Sequence, residues 1–166
     1  SLPGRYAGYA PGEGNIFYLQ QPTWDVHAMV EDKDRVFKIH KLGTDTLQDK
    51  VFLSYKINPE LYALDNTKQL WPTWPDKDCS YEFVYSSSVS PFMDLYYRRI
   101  NSNGPWKKLI NADDEIVTFN TSGDKFFMVS KKNAPNGKIL QMDLNNPGMQ
   151  AAKIIAAEKN IPAGSC

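Results

Sequence analysis

The residues able to carry chemistry are few and scattered. Two histidines, His27 and His40, stand far apart without flanking ligand spacing, so no metal site is expected. In the run Arg35 to His40, Phe37 and Ile39 share one face while Lys38 and His40 share the other, and a hydrogen-bonded structural histidine is expected there. Asp113, Asp114 and Glu115 contain the side chains of a general acid and base, but a run of acids before a strand reads as a solvated turn. Gly12-Glu13-Gly14 has no phosphate-loop continuation and reads as a turn. Cys79 and Cys166 form no CxxC, and two free thiols are expected, with a bridge between them as the alternative. No Gly-x-Ser-x-Gly elbow occurs; Ser165 follows Gly164, but Cys166 ends the sequence. Asn120-Thr121-Ser122 fits the N-glycosylation pattern, which carries weight only on a secretory route. Neither a cofactor nor a catalytic residue is therefore expected in these residues.

Composition narrows the class. The 166 residues hold 19 basic and 19 acidic side chains, for a formal net charge of zero, which removes the electrostatic argument for a nucleic-acid or anionic-membrane partner. No run approaches the roughly 18 apolar residues of a spanning helix, and no charged and apolar leader opens the sequence. At 42% hydrophobic and 23% charged, the length suits one ordinary soluble domain.

The elements that must position any site are strands. Aromatic residues make up 13% of the sequence and fall in short alternating runs bounded by turn residues. The runs are Asn15–Gln20, Arg35–His40, Lys50–Tyr55, Ser80–Tyr85, Met93–Arg98, Trp106–Ile110, Glu115–Phe119, Lys125–Val129 and Lys138–Leu144. Only Gly148 to Lys159 has helical composition, and its apolar core is too short for periodicity to separate helix from buried strand. No ten-residue helical pattern lies between strands, which argues against parallel βαβ units. Pro11 to Gly14, Asp76 to Asp78 and Thr121 to Asp124 each precede an aromatic strand, as one repeated turn plus strand. Phe83 to Phe127 is 44 residues and Phe17 to Phe83 is 66, the excess falling in Trp24–Asp34 and Asn58–Gln69. A period near 40–50 residues with four short strands predicts propeller blades. The fold class is therefore all-β, about three four-stranded antiparallel blades of a partial β-propeller, at approximately 5–57, 58–111 and 112–160. Trp71 and Trp74, flanked by Pro72 and Pro75, are expected to pack between blades rather than form a recognition surface.

At His40-Lys41-Leu42-Gly43-Thr44, with Asp49 five residues on and Val51-Phe52 beyond, the sequence resembles a motif in the N-terminal propeller of prolyl oligopeptidase-type serine peptidases. A second stretch is similar to that family in the same order: Ser122-Gly123-Asp124-Lys125-Phe126-Phe127, Lys131 to Pro135, then Leu140 to Pro147. Pro11 to Tyr18 is similar to the turn that opens a blade, and Asn58 to Ser90 matches most weakly. The motif residues have architectural reasons. Gly43 admits a left-handed turn, and the Thr44 hydroxyl can satisfy turn backbone. Asp49 opens the next strand, where its carboxylate is expected to accept backbone N–H groups, and Ala134-Pro135 makes a rigid connector.

The resemblance implies a two-domain serine peptidase. In that family a seven-bladed propeller covers an α/β-hydrolase domain carrying a Ser-Asp-His triad; the whole enzyme cleaves short peptides after proline, and its propeller acts as a cap that excludes folded proteins. It implies no catalytic residue in this sequence, and as partners the missing hydrolase domain, the remaining blades and short peptides. The family's pocket-facing loop falls at Ser87 to Pro91, which puts Ser88, Val89 and Ser90 at the substrate-facing position, with a solvated connector as the alternative. That segment lacks the charged and cysteine residues often found there, so only its position is carried over. Three blades cannot close a ring, and exposed edges are expected to drive self-association, for example as two copies in a six-bladed ring. The length, three blades where the family needs seven, places the chemistry elsewhere. A free-standing β-rich binding or assembly module is the alternative; a small β-sandwich enzyme is a third reading that no catalytic constellation supports. The compartment stays open between cytoplasm and periplasm.

Overall fold

A computed structural model describes residues 7–23, 34–62, 69–74, 76–87, 89–102 and 104–158. Among the described residues twelve strands follow one another: β1 (Ala7–Tyr9), β2 (Asn15–Gln20), β3 (Val36–Lys41), β4 (Lys50–Ser54), β5 (Gln69–Thr73), β6 (Tyr81–Ser87), β7 (Asp94–Arg99), β8 (Lys107–Ile110), β9 (Ile116–Ser122), β10 (Lys125–Ser130), β11 (Lys138–Asp143) and β12 (Lys153–Ala156). They form three four-stranded sheets of consecutive strands, in the orders β1-β2-β3-β4, β5-β6-β7-β8 and β12-β11-β10-β9. The pairings are antiparallel, as hairpin connections require. One short helix, α1 (Pro59–Tyr62), lies between β4 and β5.

The anticipated repeat is visible strand by strand. Phe17, Phe83 and Phe127 are each the third residue of the second strand in their sheets. The strands missing from the sequence reading are β1, β5 and β12, all at sheet edges. β1 is only Ala-Gly-Tyr, and β5 contains Pro72, which an edge strand tolerates because one side of its backbone needs no ladder partner. The helical composition after Gly148 gives a single 3-10 turn (Met149–Ala151) and then β12, whose Ile154 and Ile155 suit a strand and which pairs with β11.

A second repeat was not anticipated. The last strand of each sheet in chain order, the outer strand (β4, β8 and β12), carries one extra residue against its neighbour. Phe37 and Lys38 pair with Leu53 and Val51, leaving Phe52 bulged; Leu95 and Tyr96 pair with Ile110 and Lys108, leaving Leu109; Ile139 and Leu140 pair with Ala156 and Ile154, leaving Ile155. A bulge sharpens twist and re-aims one side chain. Phe52 and Leu109 are 7% and 6% exposed, whereas Ile155 is 51% exposed.

The chain packs as two units, residues 1–74 and 75–166. In the first, Trp74 lies 5.3 Å from Phe17 and 4.8 Å from Phe52 between ring centroids, and Trp71 meets Phe37 edge-on at 5.6 Å. Trp74 thus packs as core, and Trp71 is half-buried. In the second, Phe83 meets Phe119 and Phe126 at 5.8 Å each, within a core that includes Tyr81, Leu95, Leu109, Ile116, Met128 and Met142. Two equivalent turns latch to each other beside that core: Gly123 N–H donates to Asp76 Oδ2 at 2.8 Å, and Ser80 N–H to Asp124 Oδ1 at 2.9 Å. Among the described residues no helix is long and apolar enough to cross a membrane.

Candidate functional site

The motif beginning at His40 builds a buried polar cluster on the first sheet. Alternation and register set its geometry. Ile16 pairs with His40 and Tyr18 with Lys38, so Tyr18 and His40 lie on one face, diagonal across β2 and β3. After β3 the chain reverses at Gly43, whose φ of 86° suits glycine, and the Thr44 hydroxyl donates to Lys41 O at 2.7 Å. Asp45 then caps one 3-10 turn (Thr46–Gln48), its Oδ1 accepting from Leu47 N at 2.9 Å. That single turn fills the spacing between Thr44 and Asp49 and returns Asp49 to the sheet.

Asp49 does not spend its carboxylate on turn backbone, as the sequence suggests. Oδ2 accepts the Tyr18 hydroxyl at 2.8 Å and Oδ1 accepts His40 Nδ1 at 2.8 Å. Asp45 takes the capping role instead, and Asp49 is drawn to the two side-chain donors that the sheet presents. The Asp49 and His40 side chains are 1% and 8% exposed. A carboxylate only accepts, so Nδ1 carries the proton. Burial, reinforced by the bond to Asp49 and its charge, pushes the Tyr18 hydroxyl up to about 12, which keeps it a donor at neutral pH.

A histidine oriented by a buried carboxylate is half of a nucleophilic triad. The other half is missing among the described residues: the side-chain partner of His40 is Asp49, and the third member is a tyrosine bonded to the carboxylate rather than a serine bonded to the ring. The cluster ties β2 and β3 to the residue that precedes β4. His40 is thus the hydrogen-bonded structural histidine that alternation suggests. Tyr18 was missed, although its shared face with His40 is readable once β2 and β3 are paired.

The remaining sequence candidates are dispersed. His27 and Ser88 lie outside the described residues. Val89 is fully exposed, and exposed Ser90 accepts the Phe92 N–H on its hydroxyl at 3.2 Å. The Asp113–Glu115 run forms a 3-10 turn in which Asp114 Oδ2 accepts from Asn111 N at 3.0 Å and Glu115 takes the left-handed φ of 53°. Gly12 and Gly14 form the β1–β2 turn, with Asn15 N donating to Gly12 O at 3.2 Å. Cys79 is a buried free thiol, and Cys166 lies outside the described residues. No group of three metal-ligating side chains occurs among the described residues.

Three consecutive four-stranded antiparallel sheets, each repeating the same turn, strand and outer bulge, are blades of a partial β-propeller. The chain belongs to the prolyl oligopeptidase N-terminal β-propeller family, whose model matches residues 10–163. A prolyl endopeptidase from Elizabethkingia meningoseptica is 24% identical over 155 residues, covering 91% of this chain and 21% of its own length. The dual function macrocyclase-peptidase POPB of Amanita bisporigera is 26% identical over 138 residues, covering 78% of this chain and 18% of its own. A structure from a structural and mechanistic study of two prolyl endopeptidases superposes with a TM-score of 0.70 at 22% identity, covering 95% of this chain and 22% of that one. The chain thus spans about a fifth of the length of the curated relatives it matches.

Proposed function

We propose that this chain is the non-catalytic propeller portion of a prolyl oligopeptidase-type serine peptidase. In the whole enzyme it caps the hydrolase domain and admits short proline-containing peptides while excluding folded proteins. Its blades run approximately 5–57, 58–111 and 112–160, and Ser88, Val89 and Ser90 address the substrate. The observation that carries this reading is the family match across residues 10–163. The disposition of His40 supports it, because the histidine is committed to a buried structural carboxylate. The test is hydrolysis of a Gly-Pro-linked chromogenic peptide. The chain alone should give none; the full-length enzyme should cleave it, and should begin to accept folded substrates when this region is removed. Turnover by the pure chain, abolished by a serine-directed inhibitor, overturns the reading.

One observation favours a second reading, an assembly module that pairs with its own copy. Outer strand β12 leaves Ile154 and Ile155 59% and 51% exposed. The bulge at Ile155 and the charge of Lys153 work against edge pairing. Sedimentation of the chain decides it: a concentration-dependent dimer supports the second reading, a monomer the first.

A further inference from the structure

The connection between β6 and β7 is fastened at its base by one aspartate. Ser86 and Asp94 form the last pair of the β6–β7 ladder, and Asp94 N donates to Ser86 Oγ at 3.3 Å. The Asp94 side chain, 10% exposed, turns to neighbouring segments. Its Oδ1 accepts from Lys108 Nζ at 3.1 Å, on β8, and from Ala112 N at 3.0 Å, in the connection from β8 to β9. One buried oxygen therefore holds the root of the β6–β7 connection to two other chain segments. Beyond that root, the connection projects Val89 fully into solvent.

We propose that Asp94 is a positioning residue. It sets the path of the β6–β7 connection and so the affinity for the peptide, without touching the peptide itself. This rests on the reading that Val89 and Ser90 address the substrate. Without the carboxylate, the Ala112 N–H and the Lys108 ammonium lose a shared acceptor, and the connection gains conformations that binding must then remove. On that reading the connection meets the peptide in the ground state and the transition state alike, so the loss falls on substrate affinity.

The test is steady-state kinetics of the full-length enzyme on the Gly-Pro chromogenic peptide. Asp94→Ala should raise KM roughly tenfold with kcat within about twofold, the effect of one charge-assisted hydrogen bond. Asp94→Asn keeps an acceptor for Ala112 N–H and should restore most of the loss. Ala112→Pro removes the donor from the other side, at the first position of a 3-10 turn where proline is tolerated and after Asn111, whose extended backbone (φ −102°, ψ 154°) accepts a following proline. It should raise KM in the same direction, and Asp94→Ala should add little on top of it. If Asp94→Ala does not fold, Ala112→Pro and Asp94→Asn carry the test. A purely structural Asp94 would lower the folded amount and leave KM unmoved. The outcome that overturns the proposal is a KM unchanged in Asp94→Ala and Ala112→Pro while Val89→Gly with Ser90→Gly shifts it. If the Val89 and Ser90 changes also leave KM unmoved, the substrate-facing reading fails and the proposal with it.

Discussion

The Tyr18 hydroxyl donates to Asp49 Oδ2 at 2.8 Å across 31 residues of sequence, while the other oxygen of that carboxylate holds the His40 ring. Removing the hydroxyl leaves a buried carboxylate with one fewer donor. Tyr18→Phe should therefore cost about 1.5–3 kcal/mol in urea denaturation at neutral pH. A cost below about 0.5 kcal/mol would show that Asp49 does not need the hydroxyl.

The same bond should shape alkaline stability. Tyr18 is raised from 10.0 to about 12, so the folded state holds this proton more tightly than the unfolded chain. The contribution is full below pH 10 and is lost as pH rises towards 12. Unfolding monitored across that window should be steeper in pH for the native sequence than for Tyr18→Phe; identical slopes would refute it.

At the acid end, the latch between turns 76–80 and 122–124 should respond in the opposite sense. Backbone N–H groups of Asp78 and Gly123 hold the Asp76 carboxyl below its usual value of 3.8. For Asp124, partial burial works upward, but the Ser80 N–H and hydroxyl, the Asn145 amide and the Arg99 charge outweigh it, and the net direction is also down. Lowered carboxyl values contribute stability above about pH 4 and lose it as pH falls further. Asp76→Asn and Asp124→Asn should lower stability at neutral pH and flatten the acid limb of a stability-versus-pH curve, with the slope above pH 7 unchanged.

The outer-strand bulges allow a comparison at one repeat position. Leu109→Ala should cost about 2–5 kcal/mol, because that side chain fills a core, whereas Ile155→Ala should cost less than about 1 kcal/mol. Equal costs in denaturant titrations would mean that the repeat, and not burial, governs these positions.

Cys79 is 3% exposed, and burial pushes its thiol up, so neither access nor thiolate fraction favours reaction. In a Cys166→Ser background, a thiol reagent should label Cys79 only as fast as the chain opens. Rapid labelling under native conditions would contradict this burial.

Alternation made most of the fold readable. Phe37 with Ile39 against Lys38 with His40 marks a two-faced strand, and the spacing of Phe17, Phe83 and Phe127 marks the repeat. What stayed hidden had little local signal. β1 is three residues, β5 carries a proline, and β12 has helix-like composition, so each exists because a neighbouring strand supplies hydrogen bonds. Asp94 was equally silent, since its partners Lys108 and Ala112 lie 14 and 18 residues away and only hairpin closure brings them to one oxygen.

By itself, then, the order of residues determined the strand class, the turn positions, the structural character of His40 and the lack of a nucleophile elbow, because these depend on neighbours two to five residues apart. Only the tertiary structure decided that Asp49 would close on Tyr18 and His40, that the extra residue in each outer strand would bulge, and that Leu109 would be buried where Ile155 is exposed. Those outcomes depend on which strands pair and in what register, and pairing energy is gained only once distant segments have met.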